Sequence, residues 1–403
     1  MSMLTAYSDT VPALEAADAD SLHILLTGNT TFIIANFRQG LIRELIRGGH
    51  RVSVLSPLDD YVPVVQALGC DHVALTMDRN GTSAIAEALL LLSMVRRLRT
   101  MRPHAVFSYT IKNNIYSGIA CRMLGIPFVP NVTGLGPAFN KRGLLNATVR
   151  LLYAAAFSRA REVFFQNDDD LALFTDAGLC AASIARLLPG SGVDLDHFAA
   201  RPLLEAPDGA IRFLLVSRML WDKGVGHFID AARAVRRNHP EARFQLLGPL
   251  DPDSRSGIAR EQIDTWVAEG VAEYLGSTRD VRPFLEAAHC VVLPSYYREG
   301  TPRALLEACS MGRPIITTDM PGSRDVVAHG VNGLRIAPSD VGALTKACTW
   351  IVEASPDQRA EMGRASRRIA EDRFDERIVI DAYARILARL IHAGPENGLA
   401  DVA

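Results

Sequence analysis

The chain has almost no net charge, −2 from 43 basic and 45 acidic residues, so no global field draws it to nucleic acid and no such partner is expected. Its six cysteines, Cys70, Cys121, Cys180, Cys290, Cys309 and Cys348, form no C-x-x-C pair. Scattered through apolar segments, they read as reduced core residues of a cytoplasmic protein, not as a disulfide framework. No apolar run is long enough to span a bilayer; Ala88–Val95 is the longest and is too short. The first twenty residues carry acids and no basic start, which excludes a signal peptide and reads as a loose extension. There is no short repeat or low-complexity tract. No glycine group matches G-x-G-x-x-G or a P-loop, and the ten histidines show no ligand spacing. Two acidic strings have commonplace readings. Asp168-Asp169-Asp170 suits a first helical turn, and Asp251-Pro252-Asp253 a turn, so no metal and no other cofactor is expected.

What is present is a 403-residue soluble composition, 48% hydrophobic and 22% charged, enough for two domains with sizeable cores. Strand-like and helix-like segments alternate. Leu22–Thr27, Arg51–Leu55, Ala105–Ser108, Phe128–Asn131 and Glu162–Phe165 read as short buried strands, with helical patterns at Asn36–Arg47, Ser83–Arg99, Asn114–Leu124 and Leu144–Ala160 between them. The second half repeats the scheme. Its strands are expected at Arg212–Val216, Arg243–Leu247, Ala272–Leu275, Cys290–Leu293 and Ile315–Thr318, and its helices near Val225–Arg236, Gly257–Glu269, Val281–Ala287 and Pro302–Met311. The fold class is therefore α/β, with two doubly wound, Rossmann-like domains of parallel sheet and crossover helices. Pro189–Asp208, rich in glycine, proline and acids, breaks the pattern and reads as a hinge. The expected organisation is an extension (1–20), a first domain (21–200), a second domain (201–377) and a C-terminal amphipathic helix and tail (378–403) packing back on the first domain.

Chemistry concentrates in the second domain. In Tyr296-Tyr297-Arg298-Glu299-Gly300-Thr301-Pro302-Arg303-Ala304-Leu305-Leu306-Glu307, Thr301 suits an N-cap and Pro302 the first helical position. Glu299 then lies on the loop before a helix and Glu307 within it. A helix start favours a phosphate, and the two carboxylates suit the hydroxyls of a nucleotide sugar, one at the sugar and one at the ribose. Ser217-Arg218-Met219-Leu220-Trp221-Asp222-Lys223-Gly224 follows the domain's first strand, where open α/β sheets bind ligands. Arg218 and Lys223 would neutralise a diphosphate there.

Arg218 and Lys223, followed by Glu299 and Glu307 with seven residues between them, resemble the donor site of retaining glycosyltransferases of family 4, which have the GT-B build of two Rossmann-like domains facing across a cleft. The resemblance runs from about Leu22 to Leu387, and the Arg298–Arg303 run is most similar to bacterial members that extend lipid-linked oligosaccharides or capsule repeats. It implies a transferase moving a hexose or N-acetylhexosamine from a nucleotide sugar, UDP in the first instance, to a glycan or polyprenyl-linked saccharide. It further implies retention by same-face substitution, without a metal. Arg218 and Lys223 would hold the departing diphosphate, Glu299 the donor sugar and Glu307 the ribose. Gly300 and Thr301 would offer backbone N–H groups, and Gly248-Pro249 and Leu275-Gly276 would flank the base. A sugar-nucleotide epimerase of the same build, or a non-catalytic sugar-nucleotide-binding protein, would share many of these features.

In the first domain, Gly28 and Asn29 end the first strand, where glycine permits close backbone approach to a ligand. Lys112 stands in Tyr109-Thr110-Ile111-Lys112-Asn113-Asn114, where many family members have a histidine; a phosphate contact and a solvated lysine are equal alternatives. Asn131-Val132-Thr133-Gly134-Leu135-Gly136 resembles an acceptor-side loop of the lipid-linked subgroup. Lys141, Arg142, Arg150, Arg159 and Arg161 make Leu144–Ala160 basic and apolar, suited either to the inner membrane surface or to ordinary packing with a charged solvent face.

Overall fold

The computed structural model describes residues 21–78, 81, 83–135, 139, 143–203 and 208–392. The N-terminal extension, Gly136, Lys141, Arg142, Pro207 and the last residues of the tail lie outside the described residues.

Packing divides the chain into two compact units. One is drawn from Met1–Asn131, Leu152–Val163 and Arg377–Ala403, the other from Val132–Leu151 and Phe164–Glu376. The first half runs β1 (His23–Thr27), α1 (Thr31–Phe37), α2 (Gln39–Arg47), β2 (Arg51–Ser56), α3 (Val62–Ala67), β3 (Asp71–Ala74), α4 (Ala84–Met101), β4 (Ala105–Tyr109), α5 (Ile111–Leu124), β5 (Phe128–Val132), α6 (Leu144–Phe157), β6 (Val163–Phe165), α7 (Asp168–Asp176) and β7 (Ala185–Leu187). The second runs β8 (Arg212–Val216), α8 (Val225–Arg236), β9 (Arg243–Leu247), α9 (Arg260–Ala268), β10 (Glu273–Tyr274), α10 (Arg282–Ala287), β11 (Cys290–Leu293), α11 (Arg303–Ser310), β12 (Ile315–Thr318), β13 (Gly333–Ile336), α12 (Val341–Glu353), α13 (Pro356–Arg373) and α14 (Glu376–His392).

Among the described residues, one sheet has the order β3-β2-β1-β4-β5-β6-β7 and the other β10-β9-β8-β11-β12-β13. Both are doubly wound, with the first strand of each half near the middle and the order reversing beside it. β1 pairs in parallel with β2 and β4, and β8 with β9 and β11. The second sheet shows why its strands are continuous apolar runs. Phe213, Leu215, Phe244, Leu246, Val292 and Ile316 face one core, while Leu214, Leu247, Val291, Leu293 and Ile315 face another. Successive residues point to opposite faces, so a sheet covered on both sides needs apolar residues at every position.

Several local readings change. The helix expected over Asn36–Arg47 is two helices. α1 starts at Thr31, capped by Thr30 accepting from Ile33 N, and Arg38 breaks the run with φ −134°. Arg38 is buried, its guanidinium 4.3 Å from the Tyr109 ring centre. β3, β7 and β13 come from segments not expected to be strands. Residues 189–203, read as hinge, are seated on the second unit: Val193, Leu195 and Phe198 join its core, and Ser310 Oγ donates to the Phe198 carbonyl at 2.7 Å. Buried Arg313 donates to the carbonyls of Arg201, Pro202, Glu286, Ala288 and Met311. Burial pulls its pKa down to about 10. In the first unit, Tyr383 of α14 lies 4.7 Å from Phe107 of β4, and Arg389 pairs with Glu162 at 2.5 Å. All six cysteines are buried free thiols. Among the described residues no helix is long and apolar enough to cross a membrane.

Candidate active site

β8 and β11 are neighbours in the second sheet, so the loops after their carboxyl ends must meet. The loop after β8 makes a 3-10 turn, Trp221–Lys223, and enters α8 through Gly224 at φ 77°. The loop after β11 runs from Ser295 to α11. Backbone ties the two together, with Tyr296 N–H donating to the Asp222 carbonyl at 3.1 Å. Ser295 Oγ reaches the same carbonyl at 3.2 Å.

At this junction Lys223 Nζ pairs with Glu299 Oε2, the side chains only 17% and 13% exposed. Ser295 Oγ donates to the other oxygen, Glu299 Oε1, at 2.7 Å. The carboxylate is thus held at both oxygens, and so little water reaches the pair that its electrostatics are weakly screened. Tyr297 beside it is pushed up to about 12, first by burial and then by Glu299 and Asp222.

The Glu299 loop is also gripped from the β6–α7 segment of the same unit. Asn167 Nδ2 donates to the Glu299 carbonyl at 3.1 Å, and Asp170 takes the Arg298 guanidinium at 2.7 Å. Gln166 Oε1 accepts the Thr301 amide at 3.2 Å, while Thr301 Oγ1 donates to the Gln166 carbonyl at 2.9 Å. Gly300 fits between them for want of a side chain: a Cβ there would overlap Gln166 Oε1 and press on the Thr133 carbonyl.

These contacts alter three expectations. Thr301 does not cap α11; Pro302 is the N-cap, the helix begins at Arg303, and the Thr301 hydroxyl is spent on Gln166. The Thr301 amide is likewise engaged, so Gly300 alone of that pair has no such contact to Gln166. Arg218 does not join Lys223 and Glu299. It is 57% exposed and pairs with Asp251 at 2.7 Å, which gives a role to one acid of the Asp251-Pro252-Asp253 turn.

Glu307 stands on α11, 14% exposed, paired with Arg303 one turn earlier at 2.9 Å. Arg303 also donates to the Gly192 carbonyl and lies 3.3 Å from Ser191 Oγ. Burial raises the Glu307 pKa, and Arg303 opposes the rise. Gly248 ends β9 between its neighbours. Its N–H donates to the Gly276 carbonyl at 2.8 Å, the Gly248 carbonyl accepts from Tyr274 Oη at 2.9 Å, and a Cβ on Gly248 would overlap the Ser217 carbonyl. Leu275 packs at the edge of the core. Asp168, Asp169 and Asp170 occupy the first turn of α7, which Asn167 caps.

In the first unit, Gly28 is buried at the end of β1, and the Asn29 Oδ1 atom is buried with no hydrogen-bond partner. Lys112 is no free cation: Nζ donates to the carbonyls of Asp78 and Gly81, each at 2.7 Å, and to Glu87 of α4. An ammonium has three donors, and all are used. Thr110 just before it is held at φ 73°, ψ 155°, a region almost confined to glycine.

Sequence reasoning missed Ser295, Gln166, Asn167, Asp170 and Arg303. Only Arg303 had a local signal, its i,i+4 spacing from Glu307.

Two doubly wound parallel sheets, with a part-buried cation–carboxylate pair at adjacent strand ends, are the architecture of the GT-B fold. Comparison with known proteins is specific. Residues 34–190 match the family described as "Glycosyl transferase 4-like domain", and residues 210–354 match "Glycosyl transferases group 1". The chain is a glycosyltransferase with a 4-like domain in its first half and a group 1 domain in its second. It is 24% identical over 377 residues to N,N'-diacetylbacillosaminyl-diphospho-undecaprenol alpha-1,3-N-acetylgalactosaminyltransferase of Campylobacter jejuni, covering 89% of this chain and 96% of that one. It is 26% identical over 294 residues to UDP-Gal:alpha-D-GlcNAc-diphosphoundecaprenol alpha-1,3-galactosyltransferase of Escherichia coli, covering 69% and 73%. Among solved structures it is similar to Anabaena Alr3699/HepE in complex with UDP and glucose, with TM-score 0.75 and 17% identity, covering 91% of this chain and all of that one.

Proposed function

We propose that the protein transfers a hexose or N-acetylhexosamine from a UDP-sugar to a polyprenyl-diphosphate-linked saccharide, with retention and without a metal. It would work at the cytoplasmic face of the membrane in cell-surface polysaccharide synthesis. The observation that carries the reading is the part-buried Lys223–Glu299 pair at adjacent strand ends. The names of the two relatives, both transferases to undecaprenol-diphosphate saccharides through α-1,3 bonds, support the acceptor class.

In this reading the diphosphate replaces Glu299 as the anionic partner of Lys223, and Glu299 is released to accept hydrogen bonds from donor-sugar hydroxyls. Ser295 keeps the carboxylate in place during the exchange. Glu307, ionised and oriented by Arg303, accepts from the ribose diol; Arg218 swings from Asp251 to the departing phosphate. The gripped 299–301 loop is preorganised, so little reorganisation accompanies charge development on the leaving group. The acceptor hydroxyl attacks from the face that the diphosphate leaves, and a phosphate oxygen takes its proton.

The test is transfer from a panel of UDP-hexoses and UDP-N-acetylhexosamines to a synthetic polyprenyl-diphosphate N-acetylhexosamine in EDTA. NMR of the product gives the anomeric configuration. An α product from an α-linked donor supports the reading. An inverted product, or activity abolished by EDTA and restored by manganese, contradicts it. Conversion of the donor without an acceptor points instead to an epimerase.

A further inference from the structure

Next to the Lys223–Glu299 pair, aromatic rings gather around Asp222. Trp221 is 41% exposed and Tyr296 36%. The Trp221 ring stands edge-on to buried Trp266, 5.8 Å between centres, and lies so close to Gly226 that a Cβ there would come within 2.8 Å of it. The Tyr296 ring lies 5.3 Å from His227 in the first turn of α8. The backbone between them is anchored on both sides. Trp221 N–H donates to the Ser256 carbonyl at 2.8 Å, Asp222 N–H donates to Ser256 Oγ at 3.0 Å, and the Asp222 carbonyl takes the Tyr296 amide. All of these residues belong to the second unit. The Asp222 side chain is the odd member. Among the described residues no cation and no hydrogen-bond donor reaches its carboxylate, whereas Asp251 and Glu299 nearby are both paired. Lys223, the next residue, turns to Glu299. The carboxylate makes itself felt at Tyr296, whose phenol is pushed up first by burial and then by Asp222.

We propose that Trp221, Asp222, His227 and Tyr296 form a saccharide subsite that receives a neutral pyranose of the acceptor, stacked on the exposed rings, with two of its hydroxyls donating to Asp222. The chemistry selects this occupant. An aromatic face is apolar and electron-rich, which suits the C–H face of a sugar ring. A carboxylate without a counter-charge accepts strongly from hydroxyls and repels a phosphate or another carboxylate. Together they fit a neutral sugar and reject an anion. The choice of acceptor over donor rests on the transferase reading, in which the donor's diphosphate goes to Lys223, its sugar to Glu299 and its ribose to Glu307. The acceptor sugar is then the one left to place. Ser295 sets its position, since one Oγ touches both Glu299 Oε1 and the Asp222 carbonyl and so ties the subsite to the reacting carboxylate. Asp222 is thus a specificity residue: it favours neutral hexoses and N-acetylhexosamines and excludes uronic acids.

The test is saturation-transfer NMR of the full chain, without donor, against methyl α-glucoside, methyl α-galactoside, their 2-acetamido counterparts and methyl α-glucuronide. In the wild type, saturation should pass to the C–H protons of at least one neutral glycoside and much less to the glucuronide. Tyr296→Ala should cut the transfer at least about fivefold, through loss of a stacking face. Asp222→Asn should erase the discrimination, so that glucuronide and glucoside respond alike. Both variants alter side chains that reach solvent, so their thermal midpoints should match the wild type. Three results would overturn the proposal: no transfer to any glycoside, equal transfer to glucoside and glucuronide in the wild type, or transfer unchanged in both variants, which would put the sugar on Glu299 instead. So would a wild-type dimer dispersed by Tyr296→Ala, since a second copy would then cover the rings. The two readings fail separately. Discriminating glycoside binding without any turnover sinks the transferase reading alone, and turnover without glycoside binding sinks the subsite alone.

Discussion

In the proposed reading Lys223, Glu299 and Glu307 carry the chemistry at the residue scale, and each has its partner already in place. Replacing Lys223 by Ala removes the cation proposed to meet the leaving diphosphate and strands Glu299 with Ser295 alone. Loss of one preorganised charge contact of this kind should lower kcat by about 10²–10³-fold with the fold intact by circular dichroism; near-normal turnover in a folded variant would remove Lys223 from the reaction. Glu307 gives a pH signature. Burial raises its pKa above the ordinary 4.5, and it must be ionised to accept from both hydroxyls of a diol. The donor KM should therefore rise as pH falls through a value above 4.5, and Glu307→Gln should have a raised but pH-flat KM. The same KM profile in both proteins would show that Glu307 does not meet the donor. The charged residues were legible because types that suit diphosphates and diols stand after strands. Their pairing was not. Arg218 turns to Asp251, 33 residues on, and Glu307 to Arg303, one helical turn back; which counter-charge lies within reach is set by the folded backbone.

Among the elements, the central strands were readable and the edges were not. β1, β4 and β11 are buried at every position and appear as apolar runs. β3, β7 and β13 are all at sheet edges, with exposed or half-exposed positions in Asp71–Ala74, Ala185–Leu187 and Gly333–Ile336. Such strands have no need of a continuous apolar run. The grip of the β6–α7 segment on the 299–301 loop was also invisible, since Gln166 and Thr301 lie 135 residues apart. It makes Gly300 the sensitive point of the loop. Gly300→Ala forces a Cβ into Gln166 and the Thr133 carbonyl, at a cost of about 1–3 kcal/mol by analogy with overpacked cores. Because the strain falls on the loop that aims Glu299, kcat should drop more than KM changes. A KM effect alone would mean that the loop serves binding and not the reacting face.

Taken whole, the second unit has a distinctive dependence on pH. Asp170, Glu307 and Asp325 all have pKa values raised, first by burial, from ordinary values of 3.8, 4.5 and 3.8. Groups that bind protons more tightly folded than unfolded stabilise the fold fully below their ordinary pKa, and that contribution is lost as pH rises through the shifted value. Carboxylates held low by arginines, such as Asp280 and Glu269, act in the opposite sense, but they lie at the surface, where solvent screens them. The thermal midpoint of this unit should accordingly fall from pH about 4 upward as the buried set ionises, and Asp170→Asn should flatten part of that fall. A midpoint that climbs over the same range equally in both proteins would contradict the assignment. Doubly wound sheets in both halves were legible from the alternation of apolar runs with helical periodicity. The packing of 189–203 onto the second unit was not, because glycines and prolines mark a break in regular structure without saying whether the break is seated on a core.

The account turns on what Lys223 and Glu299 do when a donor arrives. A crystal structure of the protein with a UDP-sugar tests this most directly. It should show Lys223 Nζ off Glu299 and on a diphosphate oxygen, Glu299 on a sugar hydroxyl with Ser295 still bound, and Glu307 on the ribose. A nucleotide bound elsewhere, with the Lys223–Glu299 pair undisturbed, would contradict it.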